Sequence, residues 1–143
     1  MSTLADPLLQ LFADTSDSIL ITIKRDGRPQ SSNVTHAWDA AESTARISVT
    51  DDRAKTRNIL RDPRVSLHVN AANFYGGYAV GEGRGTLTPV AESPDDETVA
   101  ALIDYYRAIR GEHPDWNEYA AAMIEQKRRL LAVPIERVYG FVR

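Results

Sequence analysis

Residues 18–34 read SILITIKRDGRPQSSNV, and this stretch decides the fold class. Its first part, residues 18–24, is rich in β-branched side chains, which favour a strand. Asp26-Gly27 follows and supplies the positive φ angles that a tight hairpin turn needs. The segment from Pro29 to Trp38 is then predicted to be the returning strand. The sequence thus predicts an antiparallel hairpin near the start of the chain.

Further elements are predicted outward from this hairpin by hydrophobic periodicity and by helix start and stop signals. A short helix begins at Asp6-Pro7, and a basic helix ends before Pro63. Ser93-Pro94 and Asp115 open two longer helices with apolar stripes that are expected to cover the sheet. The basic helix spans 54–62, and the helix that opens at Ser93-Pro94 ends at Gly111. The remaining predicted elements are strands over 45–50, 65–70 and 78–90, and extended segments over 130–134 and 137–142.

Length and composition place these elements in one soluble domain. At 143 residues the chain can bury roughly two-thirds of its unfolded surface, enough for one core. We therefore predict a single α+β, mainly β domain over residues 1–143, with about six antiparallel strands. Hydrophobic residues at 43% and charged residues at 26% exclude disordered and membrane-spanning classes.

Charge and cysteine content narrow the function further. The 17 Lys and Arg against 20 Asp and Glu leave a net charge of -3, which argues against a nucleic-acid partner. The absence of cysteine excludes disulfides, thiolate zinc sites and cysteine nucleophiles, so redox chemistry would need a cofactor. The segment Met1 to Gln10 has no basic residue and no long apolar run, which favours a cytoplasmic location without a membrane anchor.

Several familiar site types are excluded by spacing. Ser31 and Ser32 are not in a G-x-S-x-G elbow, which argues against a serine hydrolase. His36, His68 and His113 lack metal-ligand spacing, so we predict no metal site and expect structural or exposed histidines. The glycine-rich segment 81–85 is followed by Thr86-Leu87-Thr88 and not by a helix, so it is not a dinucleotide-binding loop.

The segment Arg53-Ala54-Lys55-Thr56-Arg57-Asn58 is a cationic strand-to-helix junction in an acidic protein. Free amides at the helix start, an Arg, a Lys and a Thr hydroxyl together can form a cradle for a phosphate. Arg53, Arg57 and Arg61 share one helical stripe and are also compatible with a solvated face. Lys55 lies outside that stripe, on the side of the apolar Ile59, where an ammonium group needs a buried or ligand-borne anion.

Two predicted strands carry small polar residues where a core strand would carry Val or Ile. These residues are Gln30, Ser32 and Asn33 on one strand, and Ser48 and Thr50 on another. Each group alone is compatible with an ordinary solvent-facing strand. Together, and followed by a phosphate cradle, they favour a planar ring that needs hydrogen bonds along its edge.

These motifs resemble the pyridoxamine 5′-phosphate oxidase-like family of split β-barrel flavoproteins, most closely its actinobacterial branch that uses the deazaflavin coenzyme F420. The resemblance rests on residues 26–34, 48–50 and 53–64, and it extends through 78–83, the helix start at 93–96 and 138–140. It implies a split β-barrel, an FMN-binding-like Greek-key barrel with flanking helices. It also implies a homodimer with two cofactor sites at the subunit interface.

The resemblance also assigns roles to individual residues. The positions matching Arg53, Lys55, Thr56 and Asn58 hold the cofactor phosphate in this family. The strands matching Gln30, Ser32, Asn33, Ser48 and Thr50 border the ring and ribityl chain. Tyr78 matches an aromatic position that the partner subunit contributes, although Gly76-Gly77 precede it where close relatives carry an aromatic residue.

The function that the resemblance implies is an F420-dependent oxidoreductase that reduces an unsaturated or electrophilic small molecule. No catalytic residue is predicted, and Tyr75, Tyr78 and solvent are the candidate proton donors. One alternative is an FMN-binding flavoprotein, and extra cations such as Arg28 or Arg57 beside the cradle would favour the longer anionic tail of F420 instead. A second alternative is a non-catalytic carrier or sensor of the cofactor.

Overall fold

The computed structural model describes residues 6–143, in which eight antiparallel strands form one curled sheet with four helices against it. Residues 1–5 lie outside the described range. They belong to the segment 1–10 from which a cytoplasmic location is predicted. The strands are β1 Asp17–Ile23, β2 Pro29–Thr35, β3 Ala37–Asp39, β4 Thr44–Thr50, β5 Arg64–Asn70, β6 Gly77–Arg84, β7 Thr86–Leu87 and β8 Arg128–Val142. The helices are α1 Asp6–Asp14, α2 Ala54–Arg61, α3 Glu97–Arg110 and α4 Trp116–Glu125.

The sheet order is β2-β1-β5-β6-β8-β4-β3, with β7 beside β8. The predicted hairpin is confirmed, since β1 pairs with β2 in the register Ile23↔Pro29. β2 and β3 lie at opposite ends of this order, yet only His36 separates them in the chain. The sheet must therefore curl to bring its ends together, which confirms the predicted split barrel.

Strand boundaries differ from the prediction where a strand changes partner. The predicted strand 29–38 breaks at His36 because β2 pairs with β1 whereas β3 pairs with β4. The predicted segments 130–134 and 137–142 form one strand, β8, which pairs first with β4 and then with β6. The predicted strand 78–90 ends at Arg84, and a short β7 follows.

The core lies on the concave face of the sheet. Alternate residues of each strand point to this face, as the period of two requires. Phe12 of α1 packs into the same core and stacks on Trp38 with ring centroids 5.1 Å apart. The strand residues that are almost fully buried there are Leu20, Ile47, Val49, Leu67, Val69, Leu131 and Val133.

A second apolar cluster joins α3 and α4 to the sheet, as predicted. It contains Val99 and Leu102 of α3, Tyr119 and Met123 of α4, and Leu130 of β8. Helix α3 is capped by Asp96 rather than by Ser93, because the Asp96 carboxylate accepts a hydrogen bond from the Val99 amide at 2.8 Å. Within residues 6–143, no helix is both long and apolar enough to cross a membrane.

His36 is a structural residue at the bend between β2 and β3. Its side chain is 1% exposed, and its Nε2 lies 2.8 Å from the Phe12 carbonyl. A carbonyl can only accept, so Nε2 carries the proton and Nδ1 accepts from the Ser18 hydroxyl at 2.8 Å. Burial lowers the pKa of His36, against smaller opposing effects of the Phe12 carbonyl and Asp17. The buried ring is therefore neutral and ties α1 to the bend.

This arrangement predicts a loss of stability in mild acid. The unfolded chain protonates His36 near its ordinary pKa of about 6.5, while the folded chain resists until a lower pH. From pH 6.5 down to the lowered pKa, His36 should cost at most about 1.4 kcal/mol of unfolding free energy per pH unit. Urea unfolding at several pH values measures this slope, which should be smaller in His36→Gln. An equal slope in both proteins would assign the acid sensitivity to other groups.

Candidate functional site

A broad cavity of about 1280 Å³ lies on the convex side of the sheet, between the end of α1 and the helices α3 and α4. Typical small-molecule sites occupy about 300–1000 Å³, so a cofactor and a second small molecule can share this one. Among the residues that line it are Ile19, Asn33, Ser48, Lys55, His68, Asn70, Tyr105, Tyr106 and Arg128. Three predicted site residues, Asn33, Ser48 and Lys55, are thus brought to one cavity.

Lys55 reaches this cavity from the first turn of α2. Its side chain is half-buried, and burial lowers the pKa of its ammonium group. The guanidinium groups of Arg53 and Arg128 lower that pKa further. Lys55 and Arg128 therefore line the cavity together, and the exposed Arg53 lies near enough to add a third repelling charge.

The other cations of α2 and its flanks are already paired. Arg57 lies 3.4 Å from the Asp51 carboxylate, and Arg64 lies 2.8 Å from that of Asp62. Arg61 donates to the Ile23 carbonyl at 2.8 Å. The charge of these side chains is balanced by contacts within the chain or hydrated by solvent. They are therefore not part of an anion site in the cavity.

Arg53, Lys55 and Arg128 have no carboxylate partner within residues 6–143. Arg128 contacts only neutral groups, the Gln126 side chain at 2.9 Å and the Ser48 hydroxyl at 3.5 Å. We call these three residues the cation group. Like charges are held together at a cost unless an anion joins them, so the cation group has the charge and position of an anion site.

Arg128 was not predicted from the sequence. It begins β8, where it lies directly opposite Thr50 of β4. Lys127, with a φ of 54°, makes the turn that leads into this strand. Strand pairing brings Arg128 and Thr50 together across more than 70 positions of sequence. The residues next to Arg128 in the sequence give no sign of this contact.

Two further residues of the predicted cradle point into the protein. The Thr56 hydroxyl donates to the Thr50 carbonyl at 2.7 Å. Asn58 donates through its amide to both Thr22 Oγ1 and Gln30 Oε1 at 3.0 Å. These contacts fasten α2 to β1, β2 and β4, and so hold Lys55 in place. Direct contact of Thr56, Asn58 or Gln30 with a cofactor stays a prediction.

The strand residues divide between the two faces of the sheet. Ser32 pairs with the buried Leu20 and shares its face, whereas Asn33 pairs with Ile19 and lines the cavity. On β4, Ser48 and Thr50 alternate with buried Ile47 and Val49, so both hydroxyls lie on the convex side. The predicted set of polar residues is therefore split by strand alternation.

Tyr78 lies beside the cavity rather than in its wall. Its ring stacks on His68 with centroids 5.4 Å apart, and its other neighbour is Phe141 at 5.5 Å. His68 itself lines the cavity, and its Nε2 lies 3.1 Å from Asn70 Oδ1. His68 is not among the site residues predicted from the sequence, because an isolated histidine on a strand has no local signal of function.

Helices α3 and α4 bring tyrosines to the cavity. The Tyr105 hydroxyl donates to the Thr35 carbonyl at 2.8 Å, and the Tyr119 hydroxyl donates to the Leu102 carbonyl at 2.9 Å. Burial raises the pKa of Tyr105 and, with Tyr105 nearby, raises that of Tyr119 to about 12. Both side chains are neutral, and each hydroxyl group is held by its hydrogen bond to a backbone carbonyl. Within residues 6–143, no cluster of three or more His, Asp or Glu side chains could hold a metal ion.

Comparison with known proteins identifies the family and the fold. The sequence model described as pyridoxamine 5′-phosphate oxidase matches residues 8–141. A conserved hypothetical protein from Mycobacterium tuberculosis is 19% identical, with a TM-score of 0.74 over 99% of this chain and 85% of that one.

Two further solved structures are similar over almost the whole chain. A heme-binding protein from Mycobacterium smegmatis is 20% identical, with a TM-score of 0.71 over 99% of this chain and 55% of that one. A protein named F420 reductase is 24% identical, with a TM-score of 0.63 over 97% of this chain and 98% of that one. At these identities the likeness establishes the fold.

Proposed function

Because this chain belongs to the pyridoxamine 5′-phosphate oxidase family, we propose that it is an oxidoreductase that binds the deazaflavin coenzyme F420. Its substrate is an unsaturated or electrophilic small molecule. The observation that carries the proposal is the cation group, Arg53, Lys55 and Arg128, which has no carboxylate partner within the described chain. In a protein of net charge -3, three neighbouring cations without a carboxylate partner favour a bound anion.

The size of the cation group favours F420 over FMN. FMN ends in a single phosphate, whereas F420 continues beyond its phosphodiester into an oligoglutamate tail. Arg57, one of the two extra cations considered from the sequence, is paired with Asp51 and is not free for such a tail. Arg128 is the additional cation instead, because it lies close enough to Lys55 to lower the pKa of the Lys55 ammonium group. Three cations match a ligand with more than one anionic group.

The residues of the cavity suit the rest of such a cofactor. Asn33 and Ser48 offer an amide and a hydroxyl on the convex side, suited to the edge of a planar ring. When bound and reduced, a deazaflavin supplies a hydride. The chain's own residues hold the anion, orient the ring and exclude water, which are the roles a protein has in cofactor chemistry.

We also propose that the protein acts as a homodimer whose partner subunit completes the cavity. Large apolar side chains are exposed at the end of β8 and in the turn before β6. They are Phe74, Tyr75, Tyr139, Phe141 and Val142, each at least 42% exposed. An aromatic patch of this kind is typical of a protein interface. Sedimentation should then give twice the chain mass of 15.9 kDa.

Cofactor titration tests the proposed function. We expect F420 to quench tryptophan fluorescence at lower concentrations than FMN, with binding that weakens as salt rises. Tight FMN binding without any response to F420 would contradict the choice of cofactor. A panel of quinones, enones and tetrapyrroles then tests turnover, because an enzyme should accelerate oxidation of reduced F420 by at least one of them. Tight binding without acceleration would favour a carrier.

A further inference from the structure

His68 lies in one row across the sheet with Asn33 and Ile19. Asn33 of β2 pairs with Ile19 of β1, and Ile19 pairs with His68 of β5. All three side chains line the cavity. Neighbouring strands are about 4.8 Å apart, so His68 is about 10 Å from Asn33 across the apolar floor made by Ile19. A small molecule above Ile19 would lie between Asn33 and His68.

Two contacts fix the orientation of the His68 ring. An amide oxygen can only accept a hydrogen bond, so Nε2 carries a proton and donates to Asn70 Oδ1 at 3.1 Å. Tyr78 stacks on one face of the ring at 5.4 Å, with an angle of 17° between the planes. Nδ1 has no hydrogen-bond partner within residues 6–143, and it is not a buried unsatisfied atom. It is therefore free to bind or release a proton toward the cavity.

We propose that His68 is the proton donor to the acceptor, an inference that rests on the proposed function. Reduction of a polarised double bond needs a hydride at one atom and a proton at the other. The π bond of the acceptor would break: one atom would take the hydride that a bound reduced deazaflavin supplies as it is oxidised, and the other atom would take the proton as the Nδ1–H bond of His68 breaks. His68 becomes neutral and is reprotonated from solvent.

Four tyrosine hydroxyl groups in or near the cavity are less suited to this step. The hydroxyl groups of Tyr105 and Tyr119 donate hydrogen bonds to the carbonyls of Thr35 and Leu102. Tyr75, a candidate from the sequence, is 74% exposed and outside the cavity lining. Tyr78, the other candidate, supports the His68 ring from the side. His68 has both a place in the cavity floor and a free ring nitrogen.

The charged and titratable groups that face this part of the cavity come from several elements. They are Asp14 at the end of α1, Asp17 on β1, the Tyr78 hydroxyl on β6 and Arg143 after β8. Asn70, the partner on β5, is neutral and accepts from either protonation state.

The first test compares reduced-F420 oxidation by the wild-type protein, His68→Gln and His113→Gln. His113 lies in an aromatic cluster with Tyr106 and Trp116, so His113→Gln serves as the matched control with unchanged rates. Loss of a general acid costs about 10²- to 10⁴-fold in rate. We expect a loss in this range in His68→Gln, at saturating cofactor and acceptor.

The pH profile provides the mechanistic signature. In the wild-type protein, turnover should fall in alkaline solution, where the Nδ1 proton is no longer available, and His68→Gln should lose that limb. Imidazole buffer should restore part of the rate to His68→Ala. Equal wild-type and His68→Gln rates at every pH would overturn the proposal, as would a higher Kd for the cofactor with an unchanged saturated rate.

A second readout does not depend on turnover. The chain has three histidines, so the His68 ring resonances can be identified by their loss in His68→Gln. Addition of F420 should shift the His68 resonances and their pH titration while leaving those of His113 in place. Binding of F420 without any change at His68 would overturn the role of His68 alone. No binding of F420 by the wild-type protein would overturn the proposed function and this role together.

Discussion

Lys55→Met will weaken binding of F420 by about 5- to 150-fold without lowering the stability of the cofactor-free protein. The loss corresponds to about 1–3 kcal/mol, the strength of a charge-assisted hydrogen bond. The second half of the prediction follows from the repulsion within the cation group. Because burial and two arginines lower the pKa of Lys55, its charged form is disfavoured in the folded protein. Methionine keeps the apolar stem and removes that charge.

The matched control is Arg57→Met, on the same helix and two residues away. Arg57 is exposed and pairs with Asp51, so its removal should change neither the Kd for F420 nor its salt dependence. Isothermal titration calorimetry gives both Kd values, and thermal unfolding of the cofactor-free proteins gives their stabilities. Unchanged affinity in Lys55→Met would contradict the assignment of an anion to the cation group.

Gly83→Ala will destabilise the fold by about 3 kcal/mol or more. A Cβ at this position would lie 2.1 Å from the Pro134 carbonyl oxygen and 3.2 Å from its carbon. Overpacking usually costs about 1–3 kcal/mol because side chains can move aside, but here the obstacle is the backbone of the neighbouring strand. Gly83 pairs with Ile135 at the bulge where β8 passes from one partner strand to the other. The methyl group would force β6 and β8 apart there.

The comparison for this variant is Gly111→Ala. Gly111 has a φ of 79° and a ψ of -151°, a region nearly confined to glycine, and nothing lies within 4 Å of its Cβ position, so alanine there should cost about 1–3 kcal/mol of backbone strain without a steric clash. Urea unfolding measures both free energies. If Gly83→Ala does not fold well enough for a transition, its soluble yield beside that of Gly111→Ala gives the same ranking. Equal stability of the two variants would contradict the close contact between β6 and β8.

The local elements of the fold follow directly from the sequence. Alternation identified β1, β4 and β5 almost to the residue, and Asp26-Gly27 identified the hairpin turn. Pro63 was the correct stop signal for α2, because proline cannot continue a helix. These signals act over a few residues, so they are readable without knowledge of the rest of the molecule.

Strand partners were less predictable. The break at His36 and the continuity of β8 both depend on which strand lies alongside, and that choice is made between residues far apart in the chain. The structure places the cap of α3 at Asp96 and not at the predicted Ser93, for a more local reason. The Asp96 carboxylate accepts from three backbone amides at once, at 2.8–3.0 Å.

The candidate site divides in the same way. The strands, the hairpin, the excess of cations around α2 and the departure of Lys55 from the arginine stripe can be read from the sequence, because these depend on neighbours within a few residues. The folded chain was needed to show that Arg57 is paired, that Arg128 joins Lys55, and that Asn33 and His68 share one cavity floor. Charge neutralisation and strand register both depend on partners that are distant in sequence, so neither can be known before the chain is folded.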